Sequence, residues 1–161
     1  MMPQSWLPLF EWFEVTAIGT AVRESIWAFP IIESVHLVGL SLLGGAVLVV
    51  DLRLLGAGLT SHPIPRLIRS TRPWLIAAVA LMILTGVPLF LSEAVKCFYN
   101  TSFWVKMFAL PVAIVFTFRI RKRLAGLDPM PVSARTRLVG GASIALWLVV
   151  AAAGRWIGFS G

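Results

Sequence analysis

Four apolar stretches separated by polar links dominate the order of hydrophobic and polar positions along the chain. Ser34 to Val50 and Trp74 to Ser92 carry no Asp, Glu, Lys or Arg, Phe103 to Phe118 is interrupted only by Lys106, and Leu138 to Gly154 is again uncharged. None of them alternates with the period of two that a half-buried strand shows, and each approaches the ~20 residues a helix needs to cross the hydrocarbon of a bilayer. Flanking residues complete the shorter runs, which predicts spans at about 26–50, 73–92, 99–120 and 138–157. The expected fold is all-α: an integral membrane four-helix bundle forming a single transmembrane domain over 1–161.

A different pattern precedes the first span. Residues 5–20 place Trp6, Leu9, Phe10, Phe13 and Ala17 at helical spacing, with Glu11 and Glu14 off that stripe. This predicts an N-terminal interfacial amphipathic helix, with Pro8 in its first turn. The segment is acidic, which suits a cover on the outer surface, or a docking site for a partner, better than a helix seeking anionic lipid.

Composition strengthens the membrane reading. Apolar residues make up 58% of the chain and charged residues 13%, against roughly a quarter charged in soluble domains, and the mean hydropathy is +0.89. Lipid must cover what protein does not. The net charge of +7 belongs to the links: Arg53, Arg66, Arg69 and Arg72 follow the first span, and Arg119, Arg121, Lys122, Arg123, Arg135 and Arg137 surround the link between the third and fourth. The positive-inside rule puts both links in the cytoplasm of a bacterial inner membrane and both termini in the periplasm. Trp27, Trp104 and Trp156 near the outer ends and Trp74 near an inner end agree with interfacial anchoring, while Trp147 falls in mid-span. Charge so confined, without a recognition motif, excludes nucleic acid as a partner and leaves lipid headgroups. Met1 to Gln4 lacks a basic leader, so no cleavable signal is expected. The single Cys97 rules out an internal disulfide.

Candidate chemistry concentrates in the first span. Glu33, His36 and Gly39 are spaced i, i+3, i+6 and are expected to form one row facing the bundle, since charge exposed to lipid costs ~2.5–3.5 kcal/mol or more. Glu33 would then pair with Lys106 or Arg155, unless it lies in the first turn of the helix, where the dipole favours an anion. His36 has two readings: a ligand to haem b iron or a copper ion, with Gly39 making room for a flat ring, or a structural imidazole bonded to Glu33, a hydroxyl or a carbonyl. Met82 and Met107 are candidate soft partners, and His62 lies in the cytoplasmic link. Asp51 and Arg53 form a second polar group at the inner boundary, expected to clamp helix ends by pairing with Arg119 or Arg121. Ser41, Gly44, Gly45, Gly154 and Gly158 read as packing positions. Pro88 and Pro111 are expected to bend their spans, with Thr85 available to a freed carbonyl.

The segments ESVHLVGLSLL (33–43), VDLRLLG (50–56) and YNTSFWVKM (99–107) resemble an uncharacterised family of small bacterial inner-membrane proteins. The resemblance implies a four-helix fold with a histidine in helix one, here His36, and a lysine in helix three, here Lys106, and it implies no particular activity. More distantly, a histidine in the first span of a small bundle is similar to copper-resistance membrane proteins and membrane b-type cytochromes, although the paired span histidines of the latter are missing. The expected function is a polytopic inner-membrane subunit or anchor of a larger assembly, a redox assembly among the options, built around the Glu33/His36 group and associating with partner subunits or with copies of itself. A copper or small-solute carrier and a purely structural oligomer are the alternatives. Links of ~10–20 residues leave no room for a catalytic domain, and stand-alone catalysis is not expected.

Overall fold

The computed structural model describes residues 4–126 and 132–159, which are helical almost throughout. Two short helices, α1 (Leu7–Glu14) and α2 (Ala17–Glu24), precede four long ones: α3 (Ala28–Leu55), α4 (Ile64–Ser92), α6 (Thr101–Ala125) and α7 (Ala134–Ile157). The short α5 (Ala94–Tyr99) lies between α4 and α6. All four long helices are long and apolar enough to cross a membrane. Their lengths of 24 to 29 residues correspond to about 36–44 Å, more than the ~30 Å of hydrocarbon that a spanning helix has to cross.

Local chemistry sets the boundaries. Gly56 ends α3 with a φ of +76°, a left-handed conformation that glycine adopts without a Cβ penalty. The Asn100 side chain caps α6 by accepting from the N–H groups of Ser102 and Phe103. Ser133 and Thr136 form a reciprocal capping box at the start of α7. The single interfacial helix expected over 5–20 is instead two helices, because Thr16 leaves the helical path and its hydroxyl accepts from the N–H of Gly19 to start α2. Of the expected stripe only Phe10 is buried; Trp6, Leu9 and Ala17 are exposed.

Sequential long helices are antiparallel and close a ring in the order α3, α4, α6, α7, with α4 and α6 the most loosely packed neighbours. The middle is apolar: Leu43, Ala46, Val47, Leu75, Ala78, Ala113, Trp147 and Val150 form one buried cluster. Trp147, the mid-span tryptophan, packs inward and donates through Nε1 to Thr117 Oγ1 at 2.9 Å. At one end of the ring, Phe10, Ala94, Cys97, Phe98 and Phe103 form an aromatic-rich cap with Phe13, Phe90 and Trp104 against it. The same end carries exposed Trp6, Trp12, Trp27, Tyr99 and Trp156, the girdle expected where a bundle meets a bilayer interface.

Close approach of α7 to α3 depends on Gly140. A Cβ there would lie 2.9 Å from the Asp51 carbonyl oxygen and 3.0 Å from Leu54 Cβ, whereas one at Gly141 would meet nothing within 4 Å. Gly140→Ala is therefore expected to lower stability by about 1–3 kcal/mol through forced separation of the helices, and Gly141→Ala to leave it unchanged. Thermal unfolding of both variants in the same detergent checks this.

Candidate functional site

His36 occupies the third turn of α3, on the side packed against α4. Its Nδ1 lies 2.7 Å from Thr85 Oγ1, and the Thr85 hydroxyl donates to the Leu81 carbonyl at 2.6 Å. The hydroxyl has one proton, already committed to Leu81, so it can only accept from the ring. Nδ1 therefore carries the imidazole proton, and Nε2 presents a lone pair. The Nδ1–Cε1 edge of the ring comes close to α4 because position 86 is glycine: a Cβ there would sit 3.3 Å from His36 Cε1.

Lys106, on the second turn of α6, reaches across to α7, where its Nζ lies 3.5 Å from the position a Cβ on Gly154 would take. It makes no ion pair: those formed among the described residues are Arg23–Glu14, Lys96–Glu93 and Arg121–Asp51. Among the described residues, the fully buried side-chain polar atoms left without a partner are Asp51 Oδ2 and Arg53 Nη1. His36 and Lys106 are both half-buried. An unpaired ammonium and an imidazole acceptor thus share the aromatic-capped end of the bundle.

Glu33 does not join them. It is exposed, His36 is half-buried and Gly39 is buried, and it pairs with neither Lys106 nor Arg155. Each step of three residues falls 60° short of a full turn, so two steps carry Glu33 about 120° away from Gly39 around α3. Arg155 lies instead over the Phe159 ring, 4.4 Å from its centroid. The room expected beside Gly39 is filled, with Leu81 Cδ2 and Met82 Sδ each 3.3 Å from where a Cβ would stand. Met107 is exposed. Among the described residues no three His, Cys, Asp or Glu side chains converge as a metal site. One imidazole outside any such group, with no flat space at Gly39, gives no support to a haem or copper centre.

The second polar group is the clamp expected at the other end, but it is buried rather than solvated. Asp51 is 2% and Arg121 6% exposed. Arg121 donates from Nη1 to the Ala46 carbonyl and from Nη2 to the Val47 carbonyl, each at 3.2 Å, and Nη2 stands 4.0 Å from Asp51 Oδ1. The guanidinium is thus primarily a strap from α6 to the backbone of α3. Arg53 does not pair with a carboxylate; its Nε donates to the His62 carbonyl at 2.8 Å and holds the α3–α4 link.

The capped end is fastened by charge. Glu14 Oε2 accepts from the Val95 N–H at 2.7 Å, and Arg23 meets Glu14 at 3.4 Å while donating to the Glu14 and Ser92 carbonyls. Beneath this cover, burial and the nearby Glu93 push the Cys97 thiol up to about 12, which makes it a packing group rather than a nucleophile.

Thr85, Gly86 and the aromatic cap are the parts of the site that sequence reading did not assign to it. Thr85 had a signal, as one of few hydroxyls in a long apolar run, but it was matched to the carbonyl freed by Pro88 rather than to His36. Ser41, Gly44 and Gly45, read as packing positions, lie elsewhere: Ser41 and Gly45 are exposed, and a Cβ at Gly44 or Gly45 would meet nothing within 4 Å.

No curated protein and no solved structure matches the chain, and the distant likeness to copper-resistance proteins and cytochromes gains no support. A family model described as a family of unknown function, DUF6644, matches residues 9–160. A match over nearly the whole bundle, from α1 to the end of α7, means that the chain belongs to this family, in agreement with the four-helix family that the segments around His36, Asp51 and Lys106 resembled.

Proposed function

We propose that the chain is a polytopic subunit or anchor of a bacterial inner-membrane assembly, and that it offers His36 and Lys106 to the polar head of a lipid-phase ligand. In this reading both termini and the aromatic-capped end face the periplasm, while the Arg-rich ends of α3, α4, α6 and α7 face the cytoplasm. The observation that carries it is the fixed imidazole: Thr85 accepts the Nδ1 proton and leaves Nε2 as an acceptor, while the Lys106 ammonium, without an ion pair, lies against Gly154 at the same end of the bundle. Ionisable groups inside a span ordinarily pair with one another. Here the pairing is left to something outside the chain.

The alternative of a solute or copper carrier is less well supported, because the apolar cluster from Leu43 to Val150 separates the His36 end from Asp51 and Arg121. Assembly with partner subunits or with copies of itself is favoured by the open backbone at Gly44 and Gly45 of α3, which would let another helix approach closely.

Protein purified in mild detergent is expected to retain a lipid-soluble compound detectable by organic extraction and mass spectrometry. His36→Phe and Lys106→Met should each lower its occupancy by about tenfold, the effect of losing one polar contact of ~1.4 kcal/mol, without lowering the unfolding temperature by more than a few degrees. Equal retention by wild type and both variants would overturn the assignment of the site.

A further inference from the structure

Helix α4 begins at Ile64, well before the apolar run from Trp74 to Ser92. Ile64, Leu67 and Ile68 are buried in a cluster with Val50 and Leu54 of α3, which fixes this extension to the bundle. Arg66, Arg69 and Arg72 on the extension are exposed. Among the described residues no carboxylate pairs with them: the ion pairs are Arg23–Glu14, Lys96–Glu93 and Arg121–Asp51. Asp128, the one acid in the sequence between α6 and α7, balances at most one of the three.

Depth narrows the partner. The run from Trp74 to Ser92 covers ~28 Å as a helix, close to the ~30 Å of hydrocarbon, and each headgroup layer adds ~5–7 Å. Trp74, 60% exposed, then stands at the interface, where tryptophan anchors. Arg72 lies ~3 Å, Arg69 ~7.5 Å and Arg66 ~12 Å beyond it along the axis, so the first two fall at phosphate depth. Pro73 agrees, because it has no N–H for the Arg69 carbonyl, and a carbonyl freed on an exposed face needs headgroups or water rather than hydrocarbon.

The same face turns apolar immediately below. Arg66, Arg69, Pro73, Ala80, Leu84 and Val87 are all exposed, and steps of three, four or seven residues keep them on one side of the helix. That face is basic for two turns and apolar for the next four, the order of headgroup and acyl chain in a phospholipid. An acidic protein would match only the first part. Arginines three residues apart on a helix are neighbours, and each guanidinium grips a phosphate through two parallel N–H groups.

We infer that the exposed face of α4 binds an anionic phospholipid, its phosphate held by Arg69 and Arg72 with Arg66 beyond, and its chains lying along Ala80, Leu84 and Val87. In the orientation proposed above the lipid comes from the cytoplasmic leaflet. The site is independent of His36 and Lys106.

The test is titration of the full-length protein in mild detergent with dioctanoyl phosphatidylglycerol and with dioctanoyl phosphatidylcholine, followed by native mass spectrometry. Both lipids carry a phosphodiester, but the arginine row repels the choline cation, so wild type should prefer phosphatidylglycerol by about tenfold. Arg69→Gln and Arg72→Gln should each lower the affinity for phosphatidylglycerol about tenfold. Arg135→Gln, at an exposed position in the first turn of α7, should leave it unchanged. Arg69→Lys keeps the charge but loses the planar fork and should weaken binding about threefold. Inorganic phosphate should not compete, because it has no chains to lie on the apolar stripe. Equal affinity for the two lipids in wild type, or undiminished binding by Arg69→Gln, would overturn the inference. Full affinity in Arg69→Lys, or an equal loss in Arg135→Gln, would reduce the contact to diffuse attraction and overturn the site. Displacement by inorganic phosphate would make a free anion the ligand, and an acidic protein held through Arg69 while phosphatidylglycerol fails to bind would reassign the face to a protein partner.

Discussion

Arg121→Ala is expected to destabilise the bundle by about 3–5 kcal/mol, the usual cost of removing one member of a buried charged pair. The substitution removes two hydrogen bonds that tie α6 to the Ala46 and Val47 carbonyls of α3. It also takes the guanidinium away from the buried Asp51 carboxylate, whose Oδ2 already lacks a partner, and leaves that group to its hydrogen bond with Ser143. Interhelical hydrogen bonds in membranes average only ~0.6 kcal/mol, so most of the effect comes from stranding Asp51. The sign of a second substitution follows: Asp51→Asn added to Arg121→Ala should recover part of the loss. Denaturant titration in mixed micelles measures all three variants. A double variant as unstable as the sum of the single ones would show that the strap acts through the carbonyls alone.

Phe10→Ala is expected to have a comparable effect at the opposite end, about 3–5 kcal/mol, and to act locally. Phe10 is 5% exposed and its ring contacts those of Phe13, Phe90, Phe98 and Trp104 at 5.2–6.2 Å. It is the buried anchor of α1, whose Trp6, Leu9 and Trp12 face outward. Truncation should release α1 and α2 while the four long helices persist. Hydrogen exchange is therefore expected to rise over 7–24 and over α5, whose Val95 N–H is capped by Glu14, and to stay near the wild-type level in the middle of α3 and α4. Uniform loss of protection along the chain would contradict the view that the cap is an add-on to the bundle.

The apolar runs announced the four long helices because a membrane solvent demands continuous hydrophobicity. Their Arg-rich ends were less visible. Helix α4 starts at Ile64, not near 73, and α7 at Ala134, not 138, because a helix continues through Arg66, Arg69, Arg72, Arg135 and Arg137 once it has left the hydrocarbon. Hydropathy marks the slab, and capping marks the helix. The break at Val15 and Thr16 was hidden because a single period fitted both halves.

The site was half legible. His36 stood out as an imidazole in an apolar run, and Lys106 as the one charge in its stretch. Their surroundings depend on which helices are neighbours, a matter of packing that spacing along one chain does not encode. Glu33 was grouped with His36 by an i, i+3 rule that holds between adjacent pairs but drifts around the helix over two steps. Thr85 and Gly86 matter only because α4 lies antiparallel to α3 in a particular register.

The arrangement stands or falls on the outer position of the His36 end. In a Cys97→Ser background, single cysteines at Ser5, Ser61 and Gly158, all exposed positions, can be tested with a membrane-impermeant maleimide on spheroplasts and on lysed membranes. The account predicts that Ser5→Cys and Gly158→Cys label on intact spheroplasts and that Ser61→Cys labels only after lysis. Labelling of Ser61→Cys on intact spheroplasts, with Ser5→Cys and Gly158→Cys protected until lysis, would contradict it.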